Sequence, residues 1–142
     1  MTYQYLEDEA IADIAFIAKG STIEELFISA AEATFSLQTN VSELEITKEI
    51  DFEISNKSIQ MLLFELLEEI LYLKDAELFF IKKISLKLET SSKQFTVKGK
   101  FSGDTFDIKK YEIGNDLKAI TLHNFYVKEI NDIWECYVLI DI

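Results

Sequence analysis

Across residues 59–73 apolar side chains cover more than half the circumference of a helix: Leu62, Leu63, Leu66, Leu67, Ile70 and Leu73, with Met61, Phe64 and Leu71 beside them. That breadth marks a central core helix, which the rest of the chain has to cover. Asn56 or Ser58 is placed to cap its start. An earlier helix begins at Ser21-Thr22-Ile23-Glu24-Glu25, where Ser21 with Glu24, or Thr22 with Glu25, has the spacing of a capping box. It runs to about Leu37 on an inward stripe of Leu26, Phe27, Ala30, Ala31, Ala33 and Thr34, and its alanines suit close packing on a sheet.

The other segments carry strand signals. Residues 3–6 and 14–19 form two strands around an acidic bend, the second stopping at Gly20. Residues 46–54 alternate, with Ile46, Ile50, Phe52 and Ile54 on one face. Residues 78–88 and 95–101 follow, closed by an expected turn at Ser102-Gly103-Asp104, and residues 106–113 read as a connection. Residues 118–127 alternate with Ala119, Thr121, His123, Phe125 and Val127 on one face, and a bend over 129–132 leads into the alternating stretch 133–142, IWECYVLIDI. The last two strands make an antiparallel hairpin whose register brings residues 118–120 opposite the end of the terminal strand. The order β-β-α-β-α-β-β-β-β predicts an α+β fold: a curled antiparallel or mixed sheet with two helices packed on one face, one domain over residues 1–142.

Charge excludes more than it admits. The chain has 26 acids against 14 bases, all of them lysine, for a net charge of −12. Such a surface disfavours tight nucleic-acid binding and favours cations or a basic partner. No stretch reaches the roughly 18 apolar residues of a membrane span, and acids stand where a signal peptide carries Lys or Arg, so a soluble cytoplasmic protein is expected. Cys136, the single cysteine, lies mid-strand and reads as a small buried side chain.

Catalytic motifs are absent: there is no Gly-rich phosphate loop, nucleophile elbow or cysteine pair, and His123 is the one histidine, expected on a sheet face at the core margin. Carboxylates offer more. Glu7, Asp8, Glu9 and Asp13 come close together in sequence, and Asp141 adjoins the α-carboxylate of Ile142. Hard oxygens of this kind suit Ca²⁺ or Mg²⁺, although acidic runs such as 7–9 are ordinarily solvated loops. Lys118 is a candidate neighbour of Asp141.

Several motifs together resemble the archease family. They are Tyr3-Gln-Tyr-Leu6 leading to Ala12-Asp13, Gly20-Ser-Thr-Ile-Glu-Glu-Leu-Phe27 with Ala30-Ala31, and Phe35-Ser-Leu-Gln-Thr-Asn40. Further on come the stretch Leu62 to Tyr72, Gly114-Asn-Asp-Leu-Lys-Ala-Ile-Thr121, and Val138-Leu-Ile-Asp-Ile142. Where most members read Asp-His-Thr-Ala-Asp at the first bend, this chain reads Glu9-Ala10-Ile11-Ala12-Asp13, and Asn40 stands where an Asp is common. The resemblance implies the archease fold and a divalent-metal site of Asp13, Asp141 and the Ile142 carboxylate, with Lys118 as a nearby functional residue. Ca²⁺ is the foremost metal, with Mg²⁺ and Mn²⁺ as alternatives. It also implies no catalysis of its own: archeases serve RtcB-type tRNA-splicing RNA ligases, promoting guanylylation of the ligase and multiple turnover. The alternatives are a small metal-dependent phosphoester or nucleotide hydrolase, with His123 or Lys118 as water-activating group, and a general chaperone or interaction module.

Overall fold

The computed structural model describes residues 1–6 and 12–142. The acidic run Glu7, Asp8 and Glu9, and Ala10 in the place of the usual histidine, lie outside the described residues. In chain order the elements are β1 (Thr2–Leu6), β2 (Asp13–Gly20), α1 (Ile23–Phe35), β3 (Lys48–Asn56), α2 (Ile59–Glu77), β4 (Phe79–Thr90), β5 (Phe95–Thr105), β6 (Ala119–Ile130) and β7 (Ile133–Asp141), with one 3₁₀ turn at Val41–Glu43. The α+β order holds, and every strand pairing is antiparallel. The strands divide between two sheets, ordered β1-β2-β7-β6 and β3-β5-β4.

Both helices lie between these sheets. α1 packs on β1, β2 and β7 of the first and on β4 of the second, while α2 packs on β6 and on all three strands of the second. Each sheet therefore has its helices on one face. α2 buries Leu62, Leu63, Leu66, Leu67, Ile70, Leu71 and Leu73, and is apolar so widely because it meets two sheets and a helix at once. Burying each such leucine contributes about 1.5–3 kcal/mol. No helix among the described residues is long and apolar enough to cross a membrane.

Caps set the helix starts. Thr22 Oγ1 accepts from Glu25 N at 3.1 Å, which makes Thr22 the N-cap of α1, and Glu25 Oε1 reaches back to accept from Ser21 N at 3.2 Å. Ser58 caps α2 through Met61 N. α2 continues four residues past the expected end, through Lys74 to Glu77, because those residues are good helix formers, and it stops at Leu78 in the left-handed region (φ 52°).

Three expectations are corrected. Ser102-Gly103-Asp104 is not a turn but the continuation of β5. Gly103 is required there by packing, since a Cβ would come 2.0 Å from the Phe80 carbonyl oxygen. Asp104 is nearly buried and accepts from Thr47 Oγ1 at 2.6 Å and Tyr111 Oη at 2.5 Å, and these bonds hold its carboxyl below the usual range. Nor does β6 alternate throughout. Thr121 pairs with Leu139 and Tyr126 with Tyr137, so residues 122–125 bulge opposite Val138 alone. Ile46 falls outside β3 and is exposed, whereas Ile50, Phe52 and Ile54 pack on the core. Cys136 is fully buried, and that burial pushes its thiol up to about 12.

A candidate cation site at the β2–β7 end

β7 lies between β2 and β6, so its last residues meet the start of each neighbour. Asp13 stands directly opposite Asp141, and on the other side Asp141 stands opposite Ala119. Ile142 N donates to Ala12 O at 2.8 Å, which makes 12 and 142 a hydrogen-bonded pair and 13 and 141 a non-hydrogen-bonded one. In such pairs the Cα atoms approach to about 4.5 Å and the side chains are at their closest. Phe16, Ala18, Val138 and Ile140 point into the core, so by alternation both carboxylates lie on the face turned away from the helices. Ala119, with its single methyl, leaves room beside them.

The strand end is fastened. Lys118 N donates to Asp141 O at 2.8 Å, and the Ile142 side chain packs against the core. The segment before Lys118 is tied to the end of α1: Gly114 N donates to Gln38 O and Asn115 N to Leu37 O, each at 2.8 Å, with Asn115 Nδ2 adding a bond to Leu37 O at 3.3 Å. Gly114 has no alternative, because a Cβ would come 2.6 Å from the Leu37 oxygen. Two of the motif stretches, 35–40 and 114–121, are thus one packed unit that carries β6 to the end of β7.

The predicted residues fare differently. Asp13 and Asp141 come together, and Ile142 adjoins them. Lys118 lies next to them in the chain's register, one residue before Ala119, with its main-chain amide bonded to Asp141 O and its side chain exposed. Its positive charge, secondary to the hydrogen bond and charge of Lys74, helps hold the Asp116 carboxyl below the usual carboxylate range. The ion pairs of Lys74 with Asp116 and Asp75 hold this segment, a role that no local sequence signal marks. His123 is exposed on the β6 bulge, not at the core margin, with its Nε2 3.3 Å from Asn124 Nδ2. Among the described residues no three acidic, histidine or cysteine side chains gather as a metal-binding group. The facing carboxylates of Asp13 and Asp141 remain, hard oxygen donors of the kind that suit a divalent cation. A separate recess lies at the opposite end of the same sheet. It has about 450 Å³, is lined by Met1, Lys19, Ile130 and Ile133 among others, and brings no carboxylate pair together.

Two helices between two antiparallel sheets, with Asp13 and Asp141 facing each other at a fastened strand end, define a small α+β protein. Residues 3–142 match the Archease protein family (MTH1598/TM1083). The chain belongs to the archease family. It is 35% identical over 129 residues to the Protein archease of Pyrococcus furiosus, covering 91% of each chain, and 32% identical over 142 residues to that of Archaeoglobus fulgidus, covering 100% of each. Among solved structures it is similar to Methanobacterium thermoautotrophicum protein 1598, with a TM-score of 0.85 and 26% identity over 99% of this chain and 98% of that one. An archease of Thermotoga maritima, described as a possible chaperone, shares the fold at a TM-score of 0.62 and 18% identity, covering 94% of each.

Proposed function

We propose that this protein is a metal-binding accessory of an RtcB-type RNA ligase in tRNA splicing, holding a divalent cation, Ca²⁺ foremost, between Asp13, Asp141 and the Ile142 carboxylate. The observation that carries the reading is the placement of Asp13 directly across from Asp141. Like charges at that separation destabilise a sheet, and a cation between them removes the cost. When bound, the cation supplies a positive centre for phosphate oxygens. The chain's own residues hold the carboxylates in place: the Lys118 amide fixes the Asp141 carbonyl, the Ile142 side chain anchors the end, and Ala119 keeps the face open. The net charge of −12 would present this end to a basic active-site mouth.

The accessory reading is favoured over a hydrolase because His123, the one histidine, sits exposed on the β6 bulge beyond the carboxylates and is not set beside them to activate water. The chaperone description attached to the Thermotoga relative is compatible with docking on a partner enzyme. The test is multiple-turnover RNA ligation by the cognate ligase. Asp13→Ala and Asp141→Ala should each remove stimulation by at least about tenfold, as should a C-terminal extension after Ile142. Wild-type stimulation by both substitution variants would refute the site.

A further inference from the structure

The outward face of the β3-β5-β4 sheet carries a charge pattern that folding does not require. β3 presents Glu49, Asp51 and Glu53, β5 presents Lys98 and Lys100, and β4 presents Lys83 and Lys87. Lys87 stands directly opposite Lys98, an arrangement that costs stability. Lys98 is compensated by Glu89 at 3.3 Å and Glu53 at 3.7 Å. Lys83, Lys87 and Lys100 form no ion pair among the described residues, even though Asp51 is the direct cross-strand partner of Lys100. In a chain with 26 acids and 14 lysines, partners are plentiful, so three exposed lysines left unmatched on one face are a matter of placement.

The rest of the face narrows the ligand. Ser85 is the cross-strand neighbour of Lys100 and supplies a hydroxyl beside the ammonium group, whereas Ser102, the neighbour of Lys83, donates to Glu49 Oε2 at 3.4 Å. A recess of about 440 Å³ runs across the strands beside Ser85, Lys87, Lys98 and Lys100, with Asp51 and Glu89 at its margin. None of the exposed large apolar residues of the protein lies here. A docked protein segment needs apolar anchors in its contact, whereas a phosphodiester backbone needs cations and hydrogen-bond donors. The face also has no exposed aromatic ring on which a base could stack.

We propose that the β4–β5 face binds the sugar-phosphate backbone of single-stranded RNA without reading its bases, through Lys83, Lys87 and Lys100. The acidic column on β3 and Glu89 confine the strand to the β4–β5 side and keep the affinity low. The anion track rests on the sheet alone, while the choice of RNA as the ligand rests on the ligase-accessory reading.

The test is fluorescence anisotropy of the full chain with a labelled oligouridylate, from low to physiological salt. The wild type should bind weakly, with a slope of log K against log salt of about −2, as three contacts on a single strand give. K83Q/K87Q/K100Q should bind at least about tenfold more weakly with a slope near zero, and K57Q/K109Q/K128Q, which changes net charge equally elsewhere, should bind as the wild type does. Absence of wild-type binding at low salt overturns the proposal, as does equal loss in both triple variants. Polyglutamate binding as tightly as the RNA overturns it in favour of an acidic protein partner. Wild-type protein that binds the RNA but leaves the ligase unstimulated overturns the accessory reading and leaves the track standing.

Discussion

Two strand pairs in this protein set like charges directly across from one another: Asp13 and Asp141 in the four-stranded sheet, Lys87 and Lys98 in the three-stranded one. They are not equivalent. Lys98 lies between Glu53 and Glu89, so the lysine pair carries its own countercharge, on a wide face open to solvent. The carboxylate pair sits at a fastened strand end, half-buried, beside a residue as small as Ala119. An exposed pair with mobile side chains suits a diffuse polyanion, whereas a pair held by backbone bonds suits one small ion. Asp104 completes the comparison, as a carboxylate whose partners the fold supplies in full.

The largest expected effect sharpens the carboxylate side. With Ca²⁺ at about a hundred times its dissociation constant, binding should add about 2.7 kcal/mol to stability, a rise in Tm on the order of 10 °C. Asp141→Asn should abolish that rise while leaving the cation-free protein as stable as the wild type or slightly more so, because it removes the repulsion with Asp13. Calorimetry with and without the cation checks both signs, and an undiminished Ca²⁺ response in the variant would break the assignment.

Asp104→Ala should cost about 2 kcal/mol at pH 7, since it strands the Thr47 and Tyr111 hydroxyls. The pH dependence has a definite sign. The folded-state pKa of Asp104 is lowered, chiefly by those two hydroxyls, so its contribution is full above the unfolded carboxylate value of about 4 and is lost as pH falls through the lower folded value. Urea titrations at pH 7 and pH 3 should therefore show the wild type and the variant converging at the acid end. A gap that stays constant with pH would mean that packing, not the carboxylate, makes the difference.

The smallest effect belongs to the lysines. Lys87→Gln should raise Tm by about 1 °C at low salt, by removing the cross-strand repulsion, and by nothing at 1 M salt. A loss of stability at low salt would show that Lys87 is partnered in solution, and would make the contrast between the two pairs smaller than the static arrangement suggests.

The legible parts of this fold are those set by short-range periodicity. α2 is visible from Leu62 to Leu73 because a helix that meets two sheets must be apolar on both sides, and the capping residues of α1 announce its start. The end of α2 is hidden, since Leu78 takes a left-handed conformation that the sequence ordinarily reserves for Gly or Asn. Ser102-Gly103-Asp104 has the composition of a turn, but what fixes it in β5 is Phe80, Thr47 and Tyr111, all outside its own segment. The β6 bulge leaves no mark in the alternation that ends at Val127. At the candidate site, the hairpin register alone pointed to residues 118–120 beside Asp141. The partnership with Asp13 joins opposite ends of the chain, and only the family resemblance indicated it.

That partnership also governs how the molecule assembles. β7 follows every other described strand in the sequence, yet it occupies an interior position, between β2 and β6. Until it docks, β2 exposes a row of unpaired amides and carbonyls along Ile14 to Ala18, the kind of edge on which chains aggregate. Contacts of such long sequence separation form slowly. Asp13 and Lys19 near the two ends of that edge place charges where a foreign strand would pair. Asp13, which faces Asp141 in the finished sheet, is thus one of the groups that keeps the unfinished sheet soluble.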